Sequence, residues 1–156
     1  MTIPDRLLKK FDTLFLDRDG VVNVWLPGDY VKNWGEFRFN AGFLDFIVRY
    51  SGSFKHIFIV TNQRGVGKGV MTQEQLEDIH SRMLDEISRA GGRIDHIYLC
   101  TATDNADPMR KPNTGMAQQA MRDYPDVCME RSLMIGDQPS DREFAANCGM
   151  EFLLWE

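Results

Sequence analysis

The chain has 156 residues, of which 43% are hydrophobic and 26% are charged, and its formal net charge is −5. This length predicts a single domain, residues 1–156, that is large enough to bury a full hydrophobic core. The acidic balance disfavours a nucleic-acid partner, because such proteins neutralise backbone phosphates with basic surfaces. No apolar run approaches about 20 residues and no signal-peptide pattern is present, so we expect a cytoplasmic protein without a membrane partner. These features leave the oligomeric state open.

Strand and helix patterns alternate along the chain. Short apolar runs predict strands at 13–16, 56–60, 94–100, 133–135 and 151–154. Apolar residues at helical spacing predict helices at 42–50, from Thr72 to the glycine pair at 91–92, at 114–122 and at 140–148. The segment 21–40 is interpreted as a loop-rich flap whose aromatic residues at 34, 37 and 39 anchor it to the core. The alternation predicts an α/β fold, a Rossmann-like three-layer α/β/α sandwich with a mainly parallel sheet and no large cap domain.

Cysteines and histidines give no sign of a metal centre. The three cysteines are odd in number and lack paired spacing, which predicts reduced, buried thiols rather than disulfides. The three histidines, His56, His80 and His96, show no ligand spacing, so we interpret them as structural.

Two aspartates follow the first predicted strand. The apolar run 14–16 leads into Asp17-Arg18-Asp19-Gly20, so Asp17 is expected outside the carboxyl ends of the strands, where parallel sheets bind ligands. An ionised carboxylate at Asp17 can attack phosphorus, and Asp19 can protonate the leaving oxygen and later activate water. Two like charges this close favour a cation between them, and Mg²⁺ prefers hard oxygen ligands. An acidic turn after an edge strand is the alternative interpretation.

Three further segments supply polar groups at later strand ends. Thr61 and Asn62 follow the second strand, and neutral donors of this kind hold phosphate oxygens without adding charge. Lys111 can neutralise both an attacking carboxylate and a transferring phosphoryl group. The proline that follows it can open a helix. Asp137 and Asp141 follow the fourth strand and offer further metal ligands.

Taken in order, the four segments resemble the motifs of the haloacid dehalogenase superfamily of phosphotransferases, over about residues 11–150. The resemblance implies that Asp17 is the nucleophile and Asp19 the acid/base, with Thr61 and Lys111 completing the catalytic set. It implies that Mg²⁺ is held by Asp17, by the backbone carbonyl of Asp19 and by Asp137, with the second aspartate of the fourth segment beside them. It also implies that the whole chain is one phosphatase domain of this type.

A narrower resemblance lies within that superfamily, to the branch that contains D-glycero-D-manno-heptose 1,7-bisphosphate phosphatase and histidinol-phosphate phosphatase. It is carried by Asp17-Arg18-Asp19-Gly20, by Thr61-Asn62-Gln63 with the glycine-rich loop 65–69, and by Arg110-Lys111-Pro112. In that branch the arginine before the lysine helps to bind substrate, which implies this role for Arg110. Arg64 and Lys68 lie in the loop after Asn62. Together with Arg110 they are predicted to bind substrate. For the three cations, the alternative is a solvated loop charge.

The chain departs from that branch at two places: at Gln138, where heptose phosphatases often have lysine, and before Arg-Lys-Pro. Many members carry a structural zinc site before Arg-Lys-Pro, built as Cys-x-His, a spacer and Cys-x-Cys. Here Cys100 occupies the first position, but Ala102, Asp107 and Met109 occupy the other three. A structural zinc ion usually needs four nitrogen or sulfur ligands, so no structural zinc is expected. A tightened loop at 104–108 is predicted instead.

Together these features predict a Mg²⁺-dependent phosphatase that acts on a small phosphorylated metabolite through an aspartyl-phosphate intermediate. A heptose bisphosphate is the leading substrate. Histidinol phosphate is an alternative, because the same motifs serve it. A nucleic-acid 3′-phosphatase is another, because an uncapped site would admit a polymer end. The last alternative is a non-catalytic protein that keeps the fold and binds a metabolite.

Overall fold

A computed structural model describes all 156 residues and contains one sheet of five strands. The strands are β1 (Thr13–Leu16), β2 (His56–Asn62), β3 (His96–Cys100), β4 (Ser132–Gly136) and β5 (Glu151–Leu154). Every pair is parallel, and the order across the sheet is β3-β2-β1-β4-β5. The order therefore reverses between β1 and β4, and ligands of open parallel sheets bind in the crevice at such a switch point.

Helices cover both faces of the sheet, which confirms the predicted three-layer α/β/α sandwich. They are α1 (Asp5–Lys10), α2 (Phe43–Tyr50), α3 (Arg64–Gly67), α4 (Gln73–Ala90), α5 (Gly115–Asp123) and α6 (Pro139–Cys148). Alternate residues of the buried strands point to opposite faces. Leu14 and Leu16 join a core cluster with residues of α1, α2 and α4, whereas Phe15 joins a second cluster with residues of α5 and α6.

The ends of the helices follow the capping residues. Thr72 forms a capping box with Gln75 at the start of α4, and Gly91 ends that helix with a φ of +100°. Helix α5 begins at Gly115 and ends at Asp123, close to the predicted helix at 114–122, but Pro112 lies before it and does not open it. The short helices α1 and α3 were not predicted, because each spans only one or two turns and buries a single residue, which leaves no helical period to detect.

The flap at 21–40 is anchored by stacked aromatic rings, as predicted. The ring of Trp34 stacks on Phe37 with centroids 4.9 Å apart, and Phe37 meets Phe39 edge-on at 5.1 Å. Phe39 then stacks on Phe43 of α2 at 6.2 Å. The flap therefore continues the core of the α2 and α4 face, so its remaining side chains are held beside the sheet edge.

The cysteines are all reduced, and no helix is suited to a membrane. All three cysteines are free, as predicted, but Cys128 is exposed, so the prediction of buried thiols was wrong at that position. It lies just before the 3₁₀ turn Met129–Arg131 at the surface. None of the helices combines the length and the apolar character needed to cross a membrane.

Candidate active site

Residues at the ends of β1, β2 and β4 and in the loop after β3 meet at one edge of the sheet, around a cleft of about 210 Å³. Five predicted site residues line the cleft: Asp17, Asp19, Asn62, Lys111 and Asp141. The flap contributes an opposite wall made of Trp25, Leu26, Asp29, Tyr30 and Val31. Gln63, Gln138 and Ser140 complete the lining. Four segments that are far apart in the chain therefore converge here, as the strand pattern predicts.

Lys111 occupies the centre of the site. Its side chain is only 3% exposed, and its Nζ donates to Asp17 Oδ1 and to Asp141 Oδ1, both at 2.8 Å. Burial disfavours the ammonium charge, but the two carboxylates outweigh this and hold the pKa of Lys111 above its usual value. Lys111 is therefore a fixed positive charge between two acids.

Asn62 holds the backbone of Lys111 in place. Its side-chain nitrogen donates to the carbonyl of Lys111, and its side-chain oxygen accepts from the N–H of the same residue, each at 3.0 Å. Both polar atoms of the amide are used in this pair. Asn62 thus faces the cleft and also ties the end of β2 to the loop that carries the lysine.

Asp17, Asp137 and Asp141 form an acidic cluster. Each has a carboxylate oxygen within 4.8 Å of an oxygen of the other two. The oxygens of Asp141 are already engaged, because Oδ1 accepts from Lys111 and Oδ2 accepts from the backbone N–H groups of Asp137 and Gln138. Asp137 differs: its Oδ2 accepts from the Gln138 side chain at 2.9 Å, whereas its Oδ1 is buried and has no hydrogen-bond partner.

The carboxylate oxygens of the acidic cluster are suitable ligands for a hard divalent cation. Carboxylate oxygens are the ligands that Mg²⁺ takes in proteins, and a buried oxygen without a partner is costly unless a cation satisfies it. Gly20 leaves room for the Asp137 carboxylate in this cluster. Its φ is +96°, and a methyl group on its Cα would overlap the Asp137 carboxylate.

The ionisation of Asp17 depends on the charges around it. Burial raises the pKa of this carboxyl well above its usual range, and the charge of Asp141 raises it further, whereas Lys111 acts in the opposite direction. Positive charge at the acidic cluster favours the ionised form of Asp17, which is the form able to attack phosphorus.

Asp19 lies outside the acidic cluster and has its own set of donors. Its Oδ1 accepts from Arg18 Nη2 at 2.8 Å and from Asn23 Nδ2 at 2.9 Å, while its Oδ2 accepts from Gln63 Nε2 at 2.9 Å. Burial alone would raise the pKa of Asp19, but the charge of Arg18 and these hydrogen bonds bring it below the usual value. The carboxyl oxygens of Asp19 are thus oriented from three directions.

Gln63 links Asp19 to Thr61. The same Nε2 that reaches Asp19 also donates to Thr61 Oγ1 at 2.8 Å. Since Thr61 accepts this bond, its own hydroxyl hydrogen is free to donate elsewhere. Thr61 is 1% exposed and is not itself among the residues that line the cleft, although its neighbours Asn62 and Gln63 are.

Arg18, Asn23 and Gln63 were missed as site residues. Arg18 lies within the Asp17–Gly20 motif and Gln63 follows Thr61 and Asn62, and these positions were the only indication in the sequence of a role in the site. Asn23 reaches Asp19 through the turn that begins the flap, where the two residues form an isolated β-bridge.

The predicted substrate-binding cations divide into a pair and a separate residue. Arg64 Nη2 and Arg110 Nε both donate to Asn105 Oδ1, at 2.7 and 3.1 Å. Arg64 Nε and Arg110 Nη1 are buried and have no hydrogen-bond partner. Burial and the nearby Arg64 charge lower the pKa of Arg110. Lys68 stands apart, exposed, with its Nζ 5.6 Å from the centroid of the Tyr30 ring.

The arginine pair is held by the predicted tight loop. Residues 104–108 form turns in which the N–H of Asp107 donates to the carbonyl of Asp104, and the N–H of Ala106 donates to the Asp104 side chain. This conformation presents Asn105 to both guanidinium groups. Neither arginine, nor Lys68, lines the cleft itself.

Comparison with known proteins agrees with the motifs. Residues 31–156 match the family described as Polynucleotide kinase 3 phosphatase. A D-glycero-alpha-D-manno-heptose-1,7-bisphosphate 7-phosphatase of Mycobacterium bovis is 36% identical over 86% of this chain and 71% of its own length. The chain is a haloacid dehalogenase-like phosphatase. A second phosphatase of this family, the Rhodopseudomonas palustris enzyme named for the beta anomer, is 35% identical over 87% of this chain and 78% of its own length.

One solved phosphatase structure is similar to this chain in both fold and sequence. The D,D-heptose 1,7-bisphosphate phosphatase of B. bronchiseptica, determined in complex with magnesium and phosphate, superimposes with a TM-score of 0.85 at 32% identity. The alignment covers 92% of this chain and 80% of that one. The five-stranded parallel sheet and its flanking helices are therefore those of haloacid dehalogenase-like phosphatases.

Proposed function

We propose that this phosphatase is a Mg²⁺-dependent enzyme that hydrolyses a small phosphorylated sugar through an aspartyl-phosphate intermediate, and that residues 1–156 form its single domain. The observation that supports this best is the ion-pair centre of the site. Lys111 joins Asp17 to Asp141, and the unpartnered Oδ1 of Asp137 lies in the same acidic cluster.

Asp17, Asp137 and the backbone carbonyl of Asp19 are the groups proposed to hold the metal. Both oxygens of Asp141 already accept hydrogen bonds, so its proposed role is to position Lys111 and the turn that carries Asp137. When bound, Mg²⁺ neutralises charge on the phosphoryl oxygens and lowers the repulsion between them and the attacking carboxylate.

The proposed reaction has two steps. In the first, a carboxylate oxygen of Asp17 attacks phosphorus in line, the bond to the ester oxygen breaks, and the protonated form of Asp19, the minority form of this carboxyl in the unliganded site, gives its proton to that oxygen. Lys111 and the free hydroxyl hydrogen of Thr61 donate to the phosphoryl oxygens. In the second, Asp19 takes a proton from water, the resulting hydroxide attacks phosphorus, and phosphate leaves as the Asp17 carboxylate is regenerated.

A heptose 1,7-bisphosphate is the proposed substrate. Relatives named for the alpha and for the beta anomer align with this chain at 36% and 35% identity, so both anomers are candidates. The arginine pair offers a site for a second anionic group. Two guanidinium groups that share one neutral acceptor and keep buried, unpartnered N–H groups are suited to a phosphate, which accepts from both.

A 3′-phosphatase acting on nucleic-acid ends is the second candidate. The family description favours it, because residues 31–156 match a family named for a polynucleotide 3-phosphatase activity. The net charge of −5 weighs against it, since binding a nucleic-acid strand benefits from a basic surface. Arg64 and Arg110 offer only a local positive patch.

Phosphate release from a substrate panel tests both candidates. The panel contains the two heptose 1,7-bisphosphate anomers, the heptose 7-phosphate, histidinol phosphate and a 3′-phosphorylated oligonucleotide, each with Mg²⁺ or EDTA. We expect Mg²⁺-dependent release from a heptose bisphosphate and none from the Asp17→Asn variant. Preference for histidinol phosphate or the oligonucleotide would reassign the substrate, and activity retained by Asp17→Asn would overturn the mechanism.

The same panel tests the arginine pair. Arg110→Met removes one of the two guanidinium groups at Asn105 without touching the acidic cluster. We expect KM for the bisphosphate to rise at least about tenfold, since a charge-assisted contact contributes about 1.5–3 kcal/mol. KM for the 7-phosphate, which lacks the second phosphate, should change little. Arg89→Met is the matched control, because it makes the same chemical change at an exposed arginine of α4, a helix that does not line the cleft.

A further inference from the structure

Arg18 is a charged side chain with no exposed surface. It is 0% exposed, and it is the largest fully buried side chain of the protein. Its Nη2 donates to Asp19 Oδ1 at 2.8 Å, its Nε donates to Asn23 Oδ1 at 3.2 Å, and its Nη1 lies 3.1 Å from His80 Nε2. Burying a guanidinium is costly unless it is fully paired, so each of these contacts matters for keeping it in place.

The contact between Arg18 and His80 fixes the state of the imidazole. An arginine side chain has only donors, so His80 Nε2 must be the acceptor and His80 carries its hydrogen on Nδ1. Burial and the charge of Arg18 lower the pKa of His80 to about 3, which keeps the ring neutral. His80 lies on α4, 62 residues along the chain from Arg18.

We infer that Arg18, held from behind by His80, is a positioning residue that orients the carboxyl group of Asp19 for proton transfer. Arg18 and Asn23 both occupy Oδ1 of Asp19, whereas Oδ2 accepts only from Gln63. The arrangement therefore assigns Oδ2 as the oxygen that exchanges the proton with the leaving group. This inference depends on the proposed function, in which Asp19 is the acid/base.

The arrangement couples the acid/base to a helix that has no residue in the cleft lining. If His80 lost its acceptor, Nη1 of Arg18 would be left buried without a partner, and the guanidinium would shift to find one. Asp19 would then lose one of the two donors that hold Oδ1. Misplacement of a catalytic group by about 1 Å can cost about 10²-fold in rate, so the effect would reach the chemistry.

Two substitutions of His80 separate positioning from general stability. His80→Phe keeps a buried ring but removes the acceptor, whereas His80→Gln supplies a carbonyl oxygen that can accept from Arg18. Ile79→Val is the matched control, because Ile79 is the buried neighbour of His80 on the same helix and belongs to the hydrophobic core. Thermal unfolding of all three variants shows how much of any effect is a loss of folded protein.

The readout is kcat/KM for two aryl phosphates, p-nitrophenyl phosphate and phenyl phosphate, with the heptose bisphosphate as a third substrate. This constant covers the steps up to departure of the leaving group. Nitrophenolate leaves readily without a proton, whereas phenolate and a sugar alkoxide need one. A misplaced acid therefore slows the second and third substrates selectively.

We expect His80→Phe to lower kcat/KM at least about tenfold for phenyl phosphate and for the sugar substrate, and about twofold or less for p-nitrophenyl phosphate, since a general acid contributes about 10²–10⁴-fold. His80→Gln should restore most of the loss. Equal losses on all substrates, or an unchanged profile in folded His80→Phe, would overturn the positioning role. A wild-type enzyme inactive on every phosphate would instead overturn the proposed function.

Discussion

Replacing Lys111 by methionine tests the charge balance at the centre of the site. The lysine side chain is 3% exposed and contacts two carboxylates at 2.8 Å, so its removal leaves Asp17 and Asp141 buried without a counter-charge. Removing one partner of a buried ion pair typically costs about 3–5 kcal/mol. We therefore expect the free energy of unfolding to fall by about this amount at pH 8, and kcat/KM to fall at least about 10²-fold.

The loss of stability in Lys111→Met should depend on pH with a defined sign. Burial already raises the pKa of Asp17, and Lys111 is the main group that opposes this, so the folded-state pKa rises further in the variant. A carboxyl whose pKa is raised on folding favours the folded state at low pH and loses that contribution as pH increases above the unfolded value, about 4. The deficit relative to wild type should be smaller at pH 5 than at pH 8.

Urea unfolding in EDTA measures this prediction without a contribution from bound metal. Lys68→Met is the control, because it makes the same chemical change at an exposed lysine and should alter the unfolding free energy by about 0.5 kcal/mol or less. A Lys111→Met protein within about 1 kcal/mol of wild type at pH 8, or one whose deficit is larger at pH 5, would refute the reasoning.

Three further predictions concern other parts of the site. Gly20→Ala should place a methyl group against the Asp137 carboxylate and weaken Mg²⁺ at least about tenfold, measured by titration calorimetry; unchanged affinity would contradict the proposed metal ligand. Thr61→Val should lower kcat about 10–10³-fold with little change in KM, in steady-state assays with Thr13→Val, a buried threonine outside the site, as control. His80 has a folded-state pKa near 3, so its contribution to stability is present above pH about 6.5 and is lost as pH falls toward 3. Between pH 7.5 and 5.5 this should cost about 1.4 kcal/mol in chemical unfolding; an equal loss in His80→Gln would show that other groups are responsible.

The meeting of the candidate site residues at one cleft could be predicted from the sequence because it depends on strand ends. Asp17 follows β1 directly, and the polar groups of Thr61 and Asn62 end β2, so their meeting at one edge follows from a parallel sheet. Strand bounds at 13–16 and 151–154 agree with the structure for a related reason, since short apolar runs with polar neighbours define them. Strand β3 begins two residues later than predicted, at His96, because the Asp95 side chain accepts a hydrogen bond from the N–H of Ile57 just before the strand.

The parts that could not be predicted depend on contacts between distant loops. Arg64 and Arg110 were both predicted to bind substrate, but their meeting at Asn105 requires the turn geometry of 104–108, for which the sequence offered only the prediction of a tightened loop. The contact between Arg18 and His80 could not be predicted either, because it joins two distant parts of the chain. A buried histidine on a helical face has no local signature that distinguishes a core residue from the partner of an arginine 62 positions away.

Asp137 and Asp141 show how helix geometry separates two residues that look equivalent in the sequence. Both are aspartates after β4, and either could serve as a metal ligand by residue type. Helix α6 begins at Pro139, so Asp141 falls at the third helical position, where its carboxylate accepts backbone N–H groups and forms a capping box with Gln138. The other carboxylate oxygen of Asp141 accepts a hydrogen bond from Lys111. Asp137 precedes the helix and keeps one oxygen unpartnered, because no backbone donor reaches it. The start of the helix thus decides which acid anchors the lysine and which remains free for a cation.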